Sequence, residues 1–392
     1  MDFNQLTNLA EKNEIKVSSH SKRKRIPEYY YDSLRHAFGY YFNTFQTQNV
    51  NYEEYSLGLS DEFNKGAKDR YLDEDNTVLT IIAFERFFEL FIKDLLRKVS
   101  PKLTYGYKWT NGSNRAKGII NEIRSNNFSP KKYNNKHLSA PFRDTLERFY
   151  GLIELIKIGD SDLLVGKFKK VIKPYSFLDS DSVHLTMKLL NWYRDRILHN
   201  GNKLPSLWFL DYMVSQRISP VVKEIIEAQK EELGKSMFYL KTSTGIDLLD
   251  HISRIKFEFG DLIRKKTQHR TFVLLLYLGH LKELGRANFN MNLFTRNNKA
   301  TYEYNYHDVK GRGTRFANAE SVHQDFMRIL SCPCCGVESM VHYRHTFSNI
   351  FRKGEMTDID WVKCYTCDYY IRYNAGDPHF FELSQEEIFT IL

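Results

Sequence analysis

The sequence predicts a mainly α-helical protein that carries a small β module near its C-terminal end, and three observations carry that prediction. Apolar residues recur at three- and four-residue spacing through most of residues 75–284, as in helices with one buried stripe. Period-two alternation is confined to the last third of the chain. All five cysteines fall between Cys332 and Cys367, among short alternating runs.

Composition narrows the classes. A chain of 392 residues has the length of two or three domains, and 42% hydrophobic with 15% aromatic residues excludes wholesale disorder. Lys and Arg outnumber Asp and Glu by 57 to 48, a net charge of +9 that suits a polyanionic partner without requiring one. The longest fully apolar run, Phe272–Leu278, falls far short of the ~20 residues a membrane-spanning helix needs. No membrane is expected as a partner. The opening MDFNQLTNLAEKNEIK lacks the apolar core of a secretory signal, so a cytoplasmic location is expected.

Residues 1–70 are polar and tyrosine-rich, with ten basic and ten acidic residues and a local basic run, Lys22–Arg25. They read as a solvated arm or as a segment capping the next domain. Residues 71–232 read as a helical domain. Its first helix opens at Asp75-Asn76, buries Ile81, Phe84, Phe88, Phe91 and Leu95, and stops before Pro101. Further helices are expected over 141–158, 161–173, 181–199, 206–217 and 220–234, the last opened by Ser219-Pro220. The middle region 233–325 reads as helices up to about 284. A hairpin follows, from Phe289–Phe294 through Asn297-Asn298 to Thr301–Tyr306, and then a helix near 319–330.

Residues 326–392 hold the strongest local signal. Cys332/Cys335 and Cys364/Cys367 are two CxxC pairs, each a turn able to present two thiolates to one ion. Clustered pairs in a chain without an export signal read as a metal site, not as disulfides. Gly336 supplies the left-handed backbone such knuckles often need, and Cys334 is left over as a bystander. The flanks Met340–Tyr343, Trp361–Lys363 and Tyr369–Tyr373 read as short strands. The whole resembles a zinc ribbon with one structural Zn2+, since four thiolates leave no open coordination position. Arg344, Arg352, Lys353, Tyr365 and Tyr369 are its candidate contacts to nucleic acid or protein.

A second segment carries the candidate chemistry. Arg followed by His at this spacing occurs three times, at Arg194/His199, Arg264/His269 and Arg372/His379, close to what composition alone would supply. Only Arg194 and His199 end a long helix inside a helical domain. Val183, Met187, Leu190 and Ile197 form one apolar stripe and Leu185, Leu189 and Trp192 a second; Arg194 continues the first and His199 the second. Both are therefore expected at buried or interfacial surface. A salt-bridged helix end, with His199 near the C-terminal dipole, is the alternative.

This segment resembles the Arg-x(4–6)-His motif of HEPN domains, with Asp195 as the polar residue after the Arg and Glu85 in a helix similar to the family's opening one. The resemblance, over roughly 72–232, implies a metal-independent endoribonuclease in which two protomers pair their Arg and His in one cleft. Histidine near neutrality serves as general acid or base, and Arg194 holds the phosphate. Asp195 and Asn200 would orient the imidazole or touch the phosphate. An RNA substrate fits the 18 basic against 9 acidic residues of 101–200, with Lys167, Lys169, Lys170 and Lys173 just before the catalytic helix. The resemblance further implies a toxin or abortive-infection effector in antiviral defence, and allows for an inhibitor or a phage-derived trigger. A non-catalytic RNA- or nucleotide-binding adaptor is the competing reading.

Overall fold

The computed structural model describes residues 26–44, 74–104, 140–200, 204–205, 207–233, 238–256, 269–296, 311–349 and 354–372. The protein is mainly helical, with a four-stranded antiparallel sheet beside the cysteine cluster. In chain order the helices are α1 (Ile26–Asn43), α2 (Glu74–Val99), α3 (Phe142–Lys157), α4 (Leu163–Ile172), α5 (Asp181–Asn200), α6 (Leu207–Tyr212), α7 (Ser219–Leu233), α8 (Leu248–Arg254), α9 (His269–Arg296) and α10 (311–319). The strands are β1 (Phe326–Ser331), β2 (Glu338–Asn349), β3 (Gly354–Cys364) and β4 (Tyr370–Arg372), paired in that order. No helix among the described residues is long and apolar enough to cross a membrane.

Helix α2 is the central element. Its apolar stripe is fully buried, and α1, α3, α4 and α5 all pack against it. From α1, Tyr30 meets the edge of Phe91 with ring centroids 5.7 Å apart, and Phe38 meets Phe84 at 5.2 Å. Residues 26–43 of the polar N-terminal segment therefore cap the domain and belong to its core. The basic run 22–25 lies outside the described residues.

Helices α1 and α9 cross where each presents a glycine to the other's phenylalanine. A Cβ on Gly39 would sit 2.4 Å from the Phe289 ring, and one on Gly285 would sit 2.4 Å from the Phe42 ring. This reciprocal fit explains why Phe289–Phe294 is helical, as part of α9, and not the first strand of a hairpin. Its short alternation yields to the packing of a helix buried on several sides. The rest of the expected hairpin, 297–306, lies outside the described residues.

Two other expectations are corrected. The helix expected near 319–330 is a 3-10 turn at Glu320–Val322 followed by β1, a six-residue strand that pairs with β2. Ser219-Pro220 does not separate two helices: α6 runs through a π-turn, Met213–Ile218, straight into α7. The Ser219 N–H bonds to the Val214 carbonyl, one residue beyond the α pattern, because Pro220 has no N–H and crowds the preceding turn. The helices expected over 141–158, 161–173 and 181–199 match α3, α4 and α5 to within two residues.

The crossing makes a clear prediction. Gly285→Ala overpacks the α1–α9 contact and is expected to lower stability by about 1–3 kcal/mol, measured by urea denaturation. Gly166→Ala, where nothing lies near the added methyl, is the matched control and should not destabilise.

Candidate active site and metal centre

The four paired cysteines come together. The sulfur atoms of Cys332, Cys335, Cys364 and Cys367 lie within 4.8 Å of one another and all four residues are buried. Cys332 and Cys367 are 3.6 Å apart and Cys335 and Cys364 are 3.7 Å apart, too far for a disulfide at about 2.05 Å. A tetrahedral ion with sulfur ligands at about 2.3 Å gives sulfur–sulfur edges of about 3.8 Å, so the set fits such an ion.

The two knuckles are built alike. Gly336 and Asp368, each just after the second cysteine of its pair, have φ of 73° and 60°. Their N–H groups donate to the carbonyls of Cys332 and Cys364 at 2.8 and 3.0 Å. The N–H groups of Cys334 and Thr366 point at the sulfurs of Cys332 and Cys364, each at 3.4 Å. Aspartate tolerates the left-handed region better than most side chains, which lets Asp368 stand where the first knuckle uses glycine. Cys334 lies outside the set, its sulfur 3.7 Å from the Leu284 carbonyl of α9.

The helical part grips both knuckles. Ser243 N–H donates to the Cys334 carbonyl at 3.1 Å. On α9, Glu283 accepts the Tyr370 N–H at 2.7 Å, Arg286 donates to the Asp368 carbonyl, and His280 Nδ1 shares a 2.8 Å hydrogen bond with Tyr369. Tyr369 is thus fully buried and withdrawn from any ligand, while Tyr365 is half covered, bonded to Tyr343. Arg344 is exposed and bonds the Gln324 carbonyl; Arg352 and Lys353 lie outside the described residues.

The candidate catalytic residues fall at the end of α5. Val183, Met187, Leu190 and Ile197 are buried as expected, but Leu185 and Trp192 are exposed, so the second stripe faces outward. Arg194, about one-third exposed, sits at the edge of the buried face. Its guanidinium bonds Asp195 at 3.0 Å and lies 4.0 Å from the Glu85 carboxylate on α2. Asp195 also accepts from Asn191 at 3.3 Å. His199 is exposed and carries no hydrogen bond or ion pair among the described residues. The structure therefore unites Arg194, Asp195 and Glu85, and leaves His199 apart on the outer face.

Helical geometry explains the separation, since five residues turn about 500° and leave the two side chains about 140° apart. The helix continues through Asn200 and does not release His199 inward. The Asn200 side chain lies outside the described residues. Lys167, Lys169, Lys170 and Lys173 are all exposed, three on α4 and the last at its C-cap.

Glu85 is the most perturbed group here. One of its oxygens is buried without a hydrogen-bond partner among the described residues. Burial, then the nearby Glu89, pushes its carboxyl up to about 7, against the pull of Arg194. A buried acid poised near neutrality beside an arginine is an arrangement that active sites share with structural ion-pair clusters.

No family model, curated protein or solved structure matches this chain. The residues of the site therefore speak for themselves.

Glu85 contributes to the pH dependence of stability, as does Glu283, whose carboxyl is also pushed up to about 7 by burial. The unfolded carboxyl ionises near 4.5 while the folded one holds its proton to about 7, so the folded state binds the extra proton in between. Stability is expected to fall as pH rises through this window, by up to about 3 kcal/mol. Glu85→Gln should flatten that slope in urea titrations and raise stability at pH 8.

Proposed function

We propose that the protein is a metal-independent endoribonuclease of the HEPN type, acting as a twofold dimer, with a structural Zn2+ held by Cys332, Cys335, Cys364 and Cys367. The observation that carries the reading is the division of labour at the end of α5. One arginine is oriented by two carboxylates, and one histidine stands free at the surface one residue before the helix end. Cleavage through the 2′-hydroxyl needs a group that moves protons near neutral pH and a cation for the phosphorane oxygens. His199 supplies the first and Arg194 the second.

One chain does not point both groups at one phosphate. Leu198, 57% exposed, lies between their directions around the helix. Burying it against a second copy would set each Arg194 on one flank of the cleft and each His199 on the other. Exposed lysines of α4 would draw the RNA backbone electrostatically, an attraction that salt weakens. In antiviral defence such an activity serves as a toxin or abortive-infection effector, and that is the role we assign it.

Zinc supplies no reaction chemistry in this reading; bound by four thiolates it fixes the two knuckles against α9. Elemental analysis of purified protein is expected to find one zinc per chain. Cys364→Ser should lose it and lower the thermal midpoint of the helices, followed by far-UV circular dichroism.

The activity itself is tested with RNA in excess EDTA. Wild type should cut, leaving 5′-hydroxyl ends, and a folded His199→Ala should cut at least about 100-fold more slowly. Undiminished cutting by that variant would overturn the assignment.

A further inference from the structure

The face of α5 that holds His199 carries an arginine of its own. At about 100° per residue, Trp192, Arg196 and His199 fall within about 60° of one another, with Lys188 beside them, whereas Arg194 points elsewhere. The Arg196 guanidinium carbon lies 4.2 Å above the centroid of the Trp192 ring system. Trp192 is backed by Tyr193, ring centroids 4.8 Å apart, and Tyr193 packs in turn near Phe209 at 6.1 Å. The indole is held in place yet remains 46% exposed. Among the described residues Arg196 has no carboxylate partner, while Arg194 is occupied by Asp195 and Glu85.

We propose that Trp192 and Arg196 form a subsite for single-stranded RNA, in which one nucleobase displaces the Arg196 guanidinium from the indole face and stacks there, and the released guanidinium meets the neighbouring phosphate. The proposal rests on the ribonuclease reading above and names the contact that brings the strand to His199. An indole offers its face to any base, which gives affinity without sequence preference. An unneutralised guanidinium fork matches two phosphate oxygens. Trp192 stands roughly 10 Å along the axis from His199, so a strand stacked there passes Arg196 on its way.

Charge selects RNA over a second copy as the occupant of this face. Lys188 and Arg196 are cationic, and the carboxylate next to Arg196 in sequence, Asp195, is engaged by Arg194 and Asn191. A copy of the same face would bring like charges together, whereas a polyanion neutralises them.

The test uses full-length Arg196→Ala, Trp192→Leu and Trp192→Phe. Affinity for a fluorescent RNA with every 2′-hydroxyl methylated, which cannot be cut, is measured by anisotropy at several salt concentrations. Cleavage of the unmodified RNA is followed alongside, and oligomeric state by sedimentation. Trp192→Leu is expected to weaken binding by about 5- to 100-fold and Trp192→Phe to retain most of it. Arg196→Ala should lower the slope of log affinity against log salt by about 0.7. In both weakened variants KM should rise more than kcat falls.

If wild type binds and cuts RNA and both variants match it, the subsite is wrong and the ribonuclease reading stands. Loss of dimer in Trp192→Leu at unchanged RNA affinity also overturns the subsite, giving this face to the second copy. A wild type that neither binds nor cuts any RNA overturns both.

Discussion

Lys282 and Glu283 are consecutive residues of α9, both fully buried, and each finds its counter-charge on a different side of the helix. Lys282 reaches Asp211 of α6 at 3.0 Å and lies over the ring of Tyr41. Glu283 is held by Arg286 through two 2.7 Å bonds and takes the Tyr370 N–H from the sheet. Burial pulls the lysine down and pushes the glutamate up to about 7, while Asp211 and Arg286 favour the charged forms. Stripped of its partner, either charge would cost several kcal/mol. Lys282 therefore ties α9 to α6 by charge, and the Tyr370 N–H on Glu283 ties it to β4.

That constraint makes the cysteine cluster part of the fold and not an appendage. Met340, Val362, Ile371, Tyr369 and the cysteines share one apolar core with the helices. The other face of the sheet is closed by Ala317 of α10 against Val341 and Tyr343. An ion that fixes the knuckles would then hold α9 as well, and through Gly285 and Phe42 its crossing with α1. The candidate chemistry stands on a different support, since α5 packs on α2, α3 and the π-turn. The cysteine cluster and His199 are thus carried by separate parts of the fold.

Much of this was legible in the sequence, because periodicity and cysteine spacing are local signals. The stripe of α2, the helices from α3 to α5 and the four sulfur ligands need only neighbours a few residues away. What escaped depends on distant partners. Phe289 alternates like a strand residue until Gly39, some 250 positions earlier, gives its ring a seat on a helix. Phe326–Ser331 is too short to declare itself without β2 beside it. The polar, tyrosine-rich start concealed a core helix, because tyrosine hydroxyls need hydrogen-bond acceptors such as Gln229 and Asp211 that sit far along the chain. The stripe Leu185–Trp192 was visible, but its exposure was not. A helix shows which residues share a face and leaves open which face is covered.

The end of α5 turns on that same point. Two side chains five residues apart converge on one target only if the helix unwinds between them or another chain brings a second pair. Here α5 holds its helical form through Asn200, so the first route is closed. Arg194 is also partly neutralised, and it faces a carboxyl whose proton comes and goes near neutral pH. With Glu85 protonated, Arg194 keeps only Asp195 and has more charge to offer a phosphate; with Glu85 ionised, it is held more firmly in place. The same carboxyl that costs stability above neutrality thus also sets how firmly this guanidinium is held on its own helix face; in the dimer we propose, that would bear on its reach into a shared cleft. Arg196 has no such carboxylate tether among the described residues and rests on the Trp192 ring instead, so its placement does not depend on the state of Glu85.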